Sequence, residues 1–485
     1  MRFVCMCGLA VLLAHGAAAE TAWIVARSPH YELLTTAKAD KALDLLRHLE
    51  TVREFFGHVI KQHRDTGPVR LVAFTTTKQY LPYRPGKRAA AYFHSTNAAD
   101  WIVLGDINDQ TARIATHEFI HLLMGQPGLD LPLWLNEGLA ECYSTFRTVG
   151  GKARLGDLLP GTLQNARMQK WIPIQELLKV GTDSPIYRDS RHGGMFHTES
   201  WLLVHMLHFE PEYAPRFNQL LSSLAEGGDS ARMLEERYGM RLAALDSRLQ
   251  GYLRGSEFHA GVLATPIERN RAEVQTERAP EWYVKLSLAE LLIDHEEGLR
   301  RMRLLHEQMP RRPEVAAALG LRLLQKGNSS DGETMLEEAY DGGLRENHLL
   351  WSLGRSPRAT VKRREEALTR LIELDPQRLP ARLALARLLL GQERAVDAYA
   401  IINPVRRVTP KQAPDYFQLL AELAIRRGDR AEALRALGRI ETLPVEESRK
   451  TEARRLIADM SQPERKPAPA APGSHAGARA GERLN

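Results

Sequence analysis

Cysteine is nearly absent: Cys5, Cys7 and Cys142 are the only three in 485 residues, too few for a disulfide-stapled scaffold. Long apolar runs are equally scarce. Residues 3–14 form the one extended stretch, and about 12 residues fall short of a bilayer span, which excludes a polytopic membrane protein. Neither sign of charge dominates, since 66 basic side chains face 60 acidic ones. No clustered basic stripe is visible, so a nucleic-acid binder is not expected. No G-X-Y period occurs, which excludes collagen. What is present is a globular composition, 44% hydrophobic, over a length that favours two to four domains.

The opening MRFVCMCGLAVLLAHGAAAE has a basic start at Arg2, an apolar stretch from Phe3 to Ala14 and the A-x-A site Ala17-Ala18-Ala19. That is the pattern of a secretory signal peptide over residues 1–19, and it predicts an exported chain, periplasmic or secreted. Cleavage near Ala19 would remove Cys5 and Cys7 and leave Cys142 alone. No transmembrane span is expected in the mature chain.

Residues 20–258 read as an α+β domain. Short extended runs are expected at Trp23–Ala26, Tyr31–Thr35, Leu71–Phe74, Ala89–Phe93 and Trp101–Leu104. A helix is expected over Ala37–His63, with Leu43, Leu46, Leu49, Val52, Phe56 and Ile60 near one face. Thr111–Met124 reads as another, with Asp109 as its cap and Gly125/Pro127 as its stop. Pro132–Phe146 follows, and the chain then looks mostly helical to about 258.

From 259 to 460 the pattern changes to helical hairpins. Pro376, Pro410 and Pro444 are spaced 34 residues apart, and Pro310 lies nearly two periods earlier. Small residues recur in pairs twelve apart: Gly320/Gly332, Ala386/Ala398 and Ala421/Ala433. A helix-turn-helix solenoid of four or five units has this arithmetic, because small residues let paired helices approach. Segments such as RRGDRAEAL (Arg426–Leu434) resemble tetratricopeptide repeats, though most Trp and Tyr signature positions are missing. Such repeats imply a protein partner. Residues 461–485 are rich in Pro, Ala and Gly and read as a disordered tail.

The chemistry is concentrated in IATHEFIHLLMGQPGLDLPLWLNEGLAECYS. His117 and His121 are four apart on a helix, so both imidazoles project from one face and suit one cation. Glu118 sits about a hundred degrees round from His117, able to reach a water on that cation without ligating it. A catalytic zinc needs a third protein ligand and an open position. Glu137, on the next helix, is the candidate, and Glu141 four residues later is placed to hold a ligand imidazole from behind.

HEFIH followed by WLNEGLAE resembles the gluzincin zinc peptidases, most closely their peptidase-MA-like branch. The resemblance covers about residues 23–258 and is specific only over 113–146, with weaker support from WIVARSPHYEL and FHTESWLLVHML. It implies a thermolysin-type zincin domain followed by tetratricopeptide-like repeats, and an exported metallopeptidase acting on peptide or protein substrates. Carried over by position, His117, His121 and Glu137 would bind Zn2+, Glu118 would be the general base and Glu141 a second acid behind the ligands. Relatives often place Tyr where the helix before SWLLVH begins. Here that position is His197, which would stabilise the oxyanion, with Tyr187 and His192 as rivals. Ala89–Phe93 would hold substrate backbone as an edge strand. Two departures stand out: the spacing to Glu137 is shorter than in thermolysin-like enzymes, and no aminopeptidase-type motif precedes HEFIH.

A second class of function is a non-catalytic adaptor whose repeats carry the activity. A third is zinc-dependent hydrolysis of a non-peptide amide. His205 and His208 are spaced i, i+3 but read as ordinary helix histidines, and Cys142 reads as a small buried hydrophobe.

Overall fold

The structure, a computed structural model, describes residues 22–60, 68–86, 89–95, 100–108, 110–124, 131–188, 193–255, 257–263, 273–405, 408, 411–443 and 445–461. The leader, Asp109, Gly125, Pro127, His192, Pro410, Pro444 and the tail beyond 461 lie outside the described residues.

A six-stranded sheet organises the N-terminal half. Its strands are β1 (Ile24–Arg27), β2 (Tyr31–Thr35), β3 (Val69–Ala73), β4 (Ala91–Ser95), β5 (Asp100–Leu104) and β9 (Gln275–Arg278), in the order β4-β5-β3-β2-β1-β9. β2, β3 and β5 run parallel, while β4, β1 and β9 pair antiparallel with their neighbours. The alternation of a strand sends successive side chains to opposite faces. Leu33, Leu71, Ala73, Ile102 and Leu104 therefore share one face, and Leu34, Val72, Trp101 and Val103 the other. Both faces are apolar because both are covered.

The first face is covered by α1 (Ala39–Ile60) and, with short α2 (Thr77–Tyr80) set aside, by α3 (Thr111–Met124). Leu46, Leu49, Val52 and Phe56 are buried as their spacing predicts, and Ala42, Leu45 and Phe55 widen the stripe. Next comes α4 (Leu133–Ser144), then a hairpin of β6 (Arg147–Val149) and β7 (Lys152–Leu155). The stretch to about 258 is mostly helical as expected, and this hairpin is the strand segment within it that was not anticipated. Gly150 and Gly151, at φ 57° and 76°, supply the left-handed turn that joins two strands tightly.

Short helices α5 (Pro160–Met168), α6 (Ile174–Leu177) and α7 (Pro185–Arg188) lead into α8 (Gly193–Phe209). Residues Trp201 to Met206 of α8 are buried on every side, which makes it the central helix of this half. α9 (Ala214–Ala225), α10 (Ser230–Tyr238) and α11 (Leu242–Arg254) pack around it.

The chain then forms β8 (Gly261–Leu263), which pairs with β7, and β9, which pairs with β1. Gly261–Leu263 and Gln275–Arg278 thus complete the two sheets, although the expected boundary stood at 258/259. Beyond them lie five helical hairpins: α12 (Glu281–Leu291) with α13 (His295–Gln308), α14 (Pro313–Gln325) with α15 (Ser329–Asp341), α16 (Asn347–Arg355) with α17 (Val361–Leu374), α18 (Leu379–Leu390) with α19 (Ala395–Ile402), and α20 (Ala413–Arg426) with α21 (Arg430–Thr442). α22 (Glu447–Ser461) covers the end.

The small-residue pairs sit where helices touch. A Cβ on Gly320 would lie 2.8 Å from the Gly332 carbonyl oxygen, and one on Gly332 would lie 2.9 Å from that of Gly320. Ala386, Ala398, Ala421 and Ala433 are all buried at the equivalent crossings.

The first repeat is not a separate bead on a string. Leu291 and Leu292 join Val25, Leu34, Val72 and Trp101 in one apolar cluster on the second face of the sheet. The Tyr283 hydroxyl of α12 donates to Glu32, and Arg70 of β3 reaches the third hairpin, donating at 3.1 Å to Glu346 at the start of α16. Among the described residues, no helix is long and apolar enough to cross a membrane.

Candidate functional site

α3 presents Ala115, Phe119, Ile120 and Leu123 to the core, which leaves His117 and His121 on the side facing α4. α4 lies across α3 and is itself held against α8 through Gly138. A Cβ there would meet Val204 Cγ2 at 2.4 Å and the Ser200 carbonyl oxygen at 2.5 Å. Only glycine permits that approach, and it brings Glu137 of α4 next to both α3 and the start of α8.

Three imidazoles converge on one carboxylate oxygen. Glu137 Oε2 is 3.4 Å from His121 Nε2, 3.7 Å from His117 Nε2 and 3.3 Å from His197 Nε2. The two α3 imidazoles are 3.0 Å apart at their Nε2 atoms. Ligand atoms of His117, His121 and Glu137 all lie within 4.8 Å of one another. Two ligands each about 2.1 Å from a tetrahedral ion stand about 3.4 Å apart, so the spacing suits a single small cation. The donor set also fits. Glu137 is 3% exposed, yet its Oε2 makes no hydrogen bond, an orphaned buried oxygen of the kind that ligation satisfies.

The surrounding groups restrain these side chains. Tyr187 donates its hydroxyl to Glu137 Oε1 at 3.1 Å. Its ring stacks on His197, with centroids 5.7 Å apart and planes 22° from parallel. His121 Nδ1 is 3.1 Å from Asn136 Oδ1, so an Nδ1–H donates there and Nε2 is turned toward His117 and Glu137; burial acts downward on this imidazole, but the Glu137 carboxylate outweighs it and raises it above its ordinary value. Glu141 Oε1 lies 3.8 Å from His117 Nδ1, close but beyond hydrogen-bond range, while its other oxygen accepts from Arg113 at 3.2 Å.

Burial pushes the His117 imidazole down to about 3, with the neighbouring His121 adding to the effect, so it stands in the neutral form that metals take. For Glu137, burial acts upward, but the His121 and His197 imidazoles outweigh it and hold the carboxyl well below its ordinary range. Burial pushes Glu118 up to about 7, opposed by His121 and by a hydrogen bond from the backbone of Phe93 in β4. Glu118 is thus tied to the strand at the edge of the sheet.

His117, Glu118, His121, Glu137, His197 and Tyr187, each singled out from sequence, are brought into one site. His192 lies outside the described residues. Asn136 was not singled out; its place beside Glu137 in WLNE, with an amide oxygen free to accept, was the available signal. Among the described residues, His205 and His208 form no second centre. His205 is spent between Tyr252 and the Gly156 carbonyl, and His208 sits against Tyr143. Cys142 is fully buried.

A tetratricopeptide-repeat family model matches residues 365–423, from α17 into α20. Among solved structures, the chain is similar to a thermophilic tetratricopeptide-repeat protein from Thermus thermophilus, at 16% identity over 37% of this chain and 98% of that one, with a TM-score of 0.21. It is also similar to a tetratricopeptide repeat protein from Parabacteroides merdae, at 15% identity over 62% and 100% respectively, with a TM-score of 0.24. No curated protein matches the chain. Residues 365–423 therefore carry tetratricopeptide-type repeat sequence, within the run of helical hairpins.

Proposed function

We propose that the protein is an exported zinc-dependent metallopeptidase of gluzincin type, with a repeat module that binds protein. The observation that carries this reading is the convergence of His117, His121 and Glu137, from two helices, with Glu118 beside them. The mixed sheet with its antiparallel edge strand above α3 agrees with a zincin-like domain.

Zinc held by His117 Nε2, His121 Nε2 and Glu137 would supply a Lewis acid that polarises a scissile carbonyl and acidifies water. Glu118, raised by burial towards neutrality, accepts the proton of the attacking water and returns it to the leaving amine. His197, partly exposed at 34% of its side chain, faces the same space and can donate to the developing oxyanion. Tyr187 holds Glu137 in place. Among the described residues β4 ends the sheet, and an extended peptide adding there would satisfy its outward backbone groups.

The test is hydrolysis of unstructured peptides by the zinc-loaded full chain. Glu118→Ala is expected to abolish turnover while retaining zinc, and His117→Ala to lose the metal. Wild-type turnover in both variants would refute the assignment. The tetratricopeptide match favours a second reading, an adaptor that keeps the fold without turnover. In that case partner binding would survive Glu118→Ala and no peptide would be cut by any form.

A further inference from the structure

The sheet turns a row of polar and aromatic side chains toward the repeats. Glu32 of β2, Arg70 of β3 and Trp101 of β5 are cross-strand neighbours. Side chains alternate along a strand, so all three share the face that carries Leu34, Val72 and Val103. The repeats answer this row. Tyr283 of α12 donates to Glu32, and Arg70 donates to Glu346 at 3.1 Å with its guanidinium 5.7 Å from the centre of the Trp101 ring. Behind Arg70 lies a cavity of about 40 Å³, lined among others by Tyr283, Ser287, Glu290, Glu314 and Glu346.

Glu290 is the anomaly of this seam. It is 5% exposed and lines the cavity, at the end of α12. Its backbone carbonyl accepts from Arg322 of α14, but its carboxyl meets Arg70, Arg322 and Glu346 through charge alone. The Arg70 hydrogen bond goes to Glu346 instead, and Glu314 Oε2, on the same cavity, makes no hydrogen bond either. A space of this size takes about three waters and no organic counter-ion. Among the described residues, its carboxylates do not come together as a metal-binding group. The proton is therefore the neutralising partner within reach of Glu290. Burial and Glu346 favour the protonated carboxyl, Arg70 and Arg322 oppose them, and the balance pushes it up to about 7.

We propose that Glu290 is a proton-operated latch between the first repeats and the sheet. Protonated, it lets α12 stay seated on the strands. Once its proton passes to solvent, a buried charge beside Glu346 and Glu314 draws water into the seam and loosens it. Leu291 and Leu292, the next residues, are the ones that seat this end of α12 on Val25, Leu34, Val72 and Trp101, so the charge acts directly on that contact. The folded value lies above the ordinary 4.5, so the contribution of Glu290 to the closed seam is complete below about 4.5 and is lost as pH rises through about 7. Repeats and sheet are thus coupled by pH, whether or not the histidine site hydrolyses anything.

The experiment is hydrogen exchange with mass spectrometry on the full chain at about pH 6 and about pH 8.5, corrected for the intrinsic effect of pH on exchange. In wild type, protection of α12 and of β3 is expected to fall by about tenfold or more between the two, because Glu290 is then almost fully ionised. Segments from α20 and α21 should not follow. In Glu290→Gln, which keeps the shape and cannot ionise, the fall should be about twofold or less. No fall in wild type, or an equal fall in Glu290→Gln, overturns the latch. Glu346→Gln supplies a second test, and decides alone if Glu290→Gln does not fold. It removes the like charge and frees Arg70 to pair with Glu290, so the loss of protection should move to lower pH or vanish. A loss unmoved from wild type overturns the proposal.

Discussion

His197 Nε2 lies 3.3 Å from Glu137 Oε2, the same oxygen that both imidazoles of HEFIH approach, while Tyr187 holds the other oxygen at 3.1 Å. One carboxylate thus meets three imidazoles with one oxygen and a tyrosine hydroxyl with the other. His197→Ala should leave one zinc per chain but lower kcat by about 10²–10³, the usual cost of one oxyanion donor. Tyr187→Phe keeps the ring stacked on His197 and removes only the hydroxyl. It should weaken zinc affinity by about 10–100-fold, as changes behind metal ligands commonly do. Steady-state kinetics measures the first effect, and competition titration against a chelator the second.

Gly138 fixes how closely α4 approaches α8, and a Cβ there would collide with Val204 and the Ser200 carbonyl. Gly138→Ala should destabilise the fold by about 1–3 kcal/mol through overpacking. It should also loosen the proposed zinc site, because Glu137 is the adjacent residue. Thermal unfolding with and without zinc separates the two effects: a smaller zinc-induced rise in Tm than in wild type is expected.

Much of this was legible in the chain, and the residues explain why. HEFIH and WLNE are local patterns, so helix periodicity alone puts His117 beside His121, and α1 follows its leucine spacing. The Gly320/Gly332 pair likewise announces a close crossing that the structure contains. What periodicity cannot report is partnership across long separations. Nothing local to Gln275–Arg278 says that it pairs with Ile24–Arg27. The apolar residues of α12 look like those of any repeat helix, although they cover a sheet face. The β6–β7 hairpin was readable from Gly150-Gly151, a turn signal outweighed by the helical character around it. Asn136 stayed hidden because its role depends on the orientation of His121.

Because α12 covers the sheet, removing the repeats should not yield an independent N-terminal unit. A chain ending at residue 279 would expose Leu34, Val72, Trp101 and Val103, a contiguous apolar surface. It should aggregate or bind a hydrophobic dye, whereas a chain ending after α13 should remain monomeric by size-exclusion chromatography.

Glu199 gives a pH signature of stability. Burial pushes its carboxyl up to about 8, although the Ile172 N–H bonds it. A carboxyl whose folded value exceeds the unfolded value of 4.5 holds its proton more tightly when folded. Its contribution is fully present below about 4.5 and is lost as pH rises through about 8. Glu199→Gln keeps the acceptor for Ile172 and cannot ionise. Urea unfolding at several pH values should show the decline in wild type and a flatter profile in the variant.

The account stands on one cation held by His117, His121 and Glu137. Equilibrium dialysis of the metal-free full chain against zinc, read by inductively coupled plasma mass spectrometry, tests it most directly. The account predicts one tightly bound zinc per chain in wild type and in Glu118→Ala, and loss of that zinc in His117→Ala and Glu137→Ala. Zinc retained undiminished when Glu137 is removed, or never bound by wild type, would contradict it.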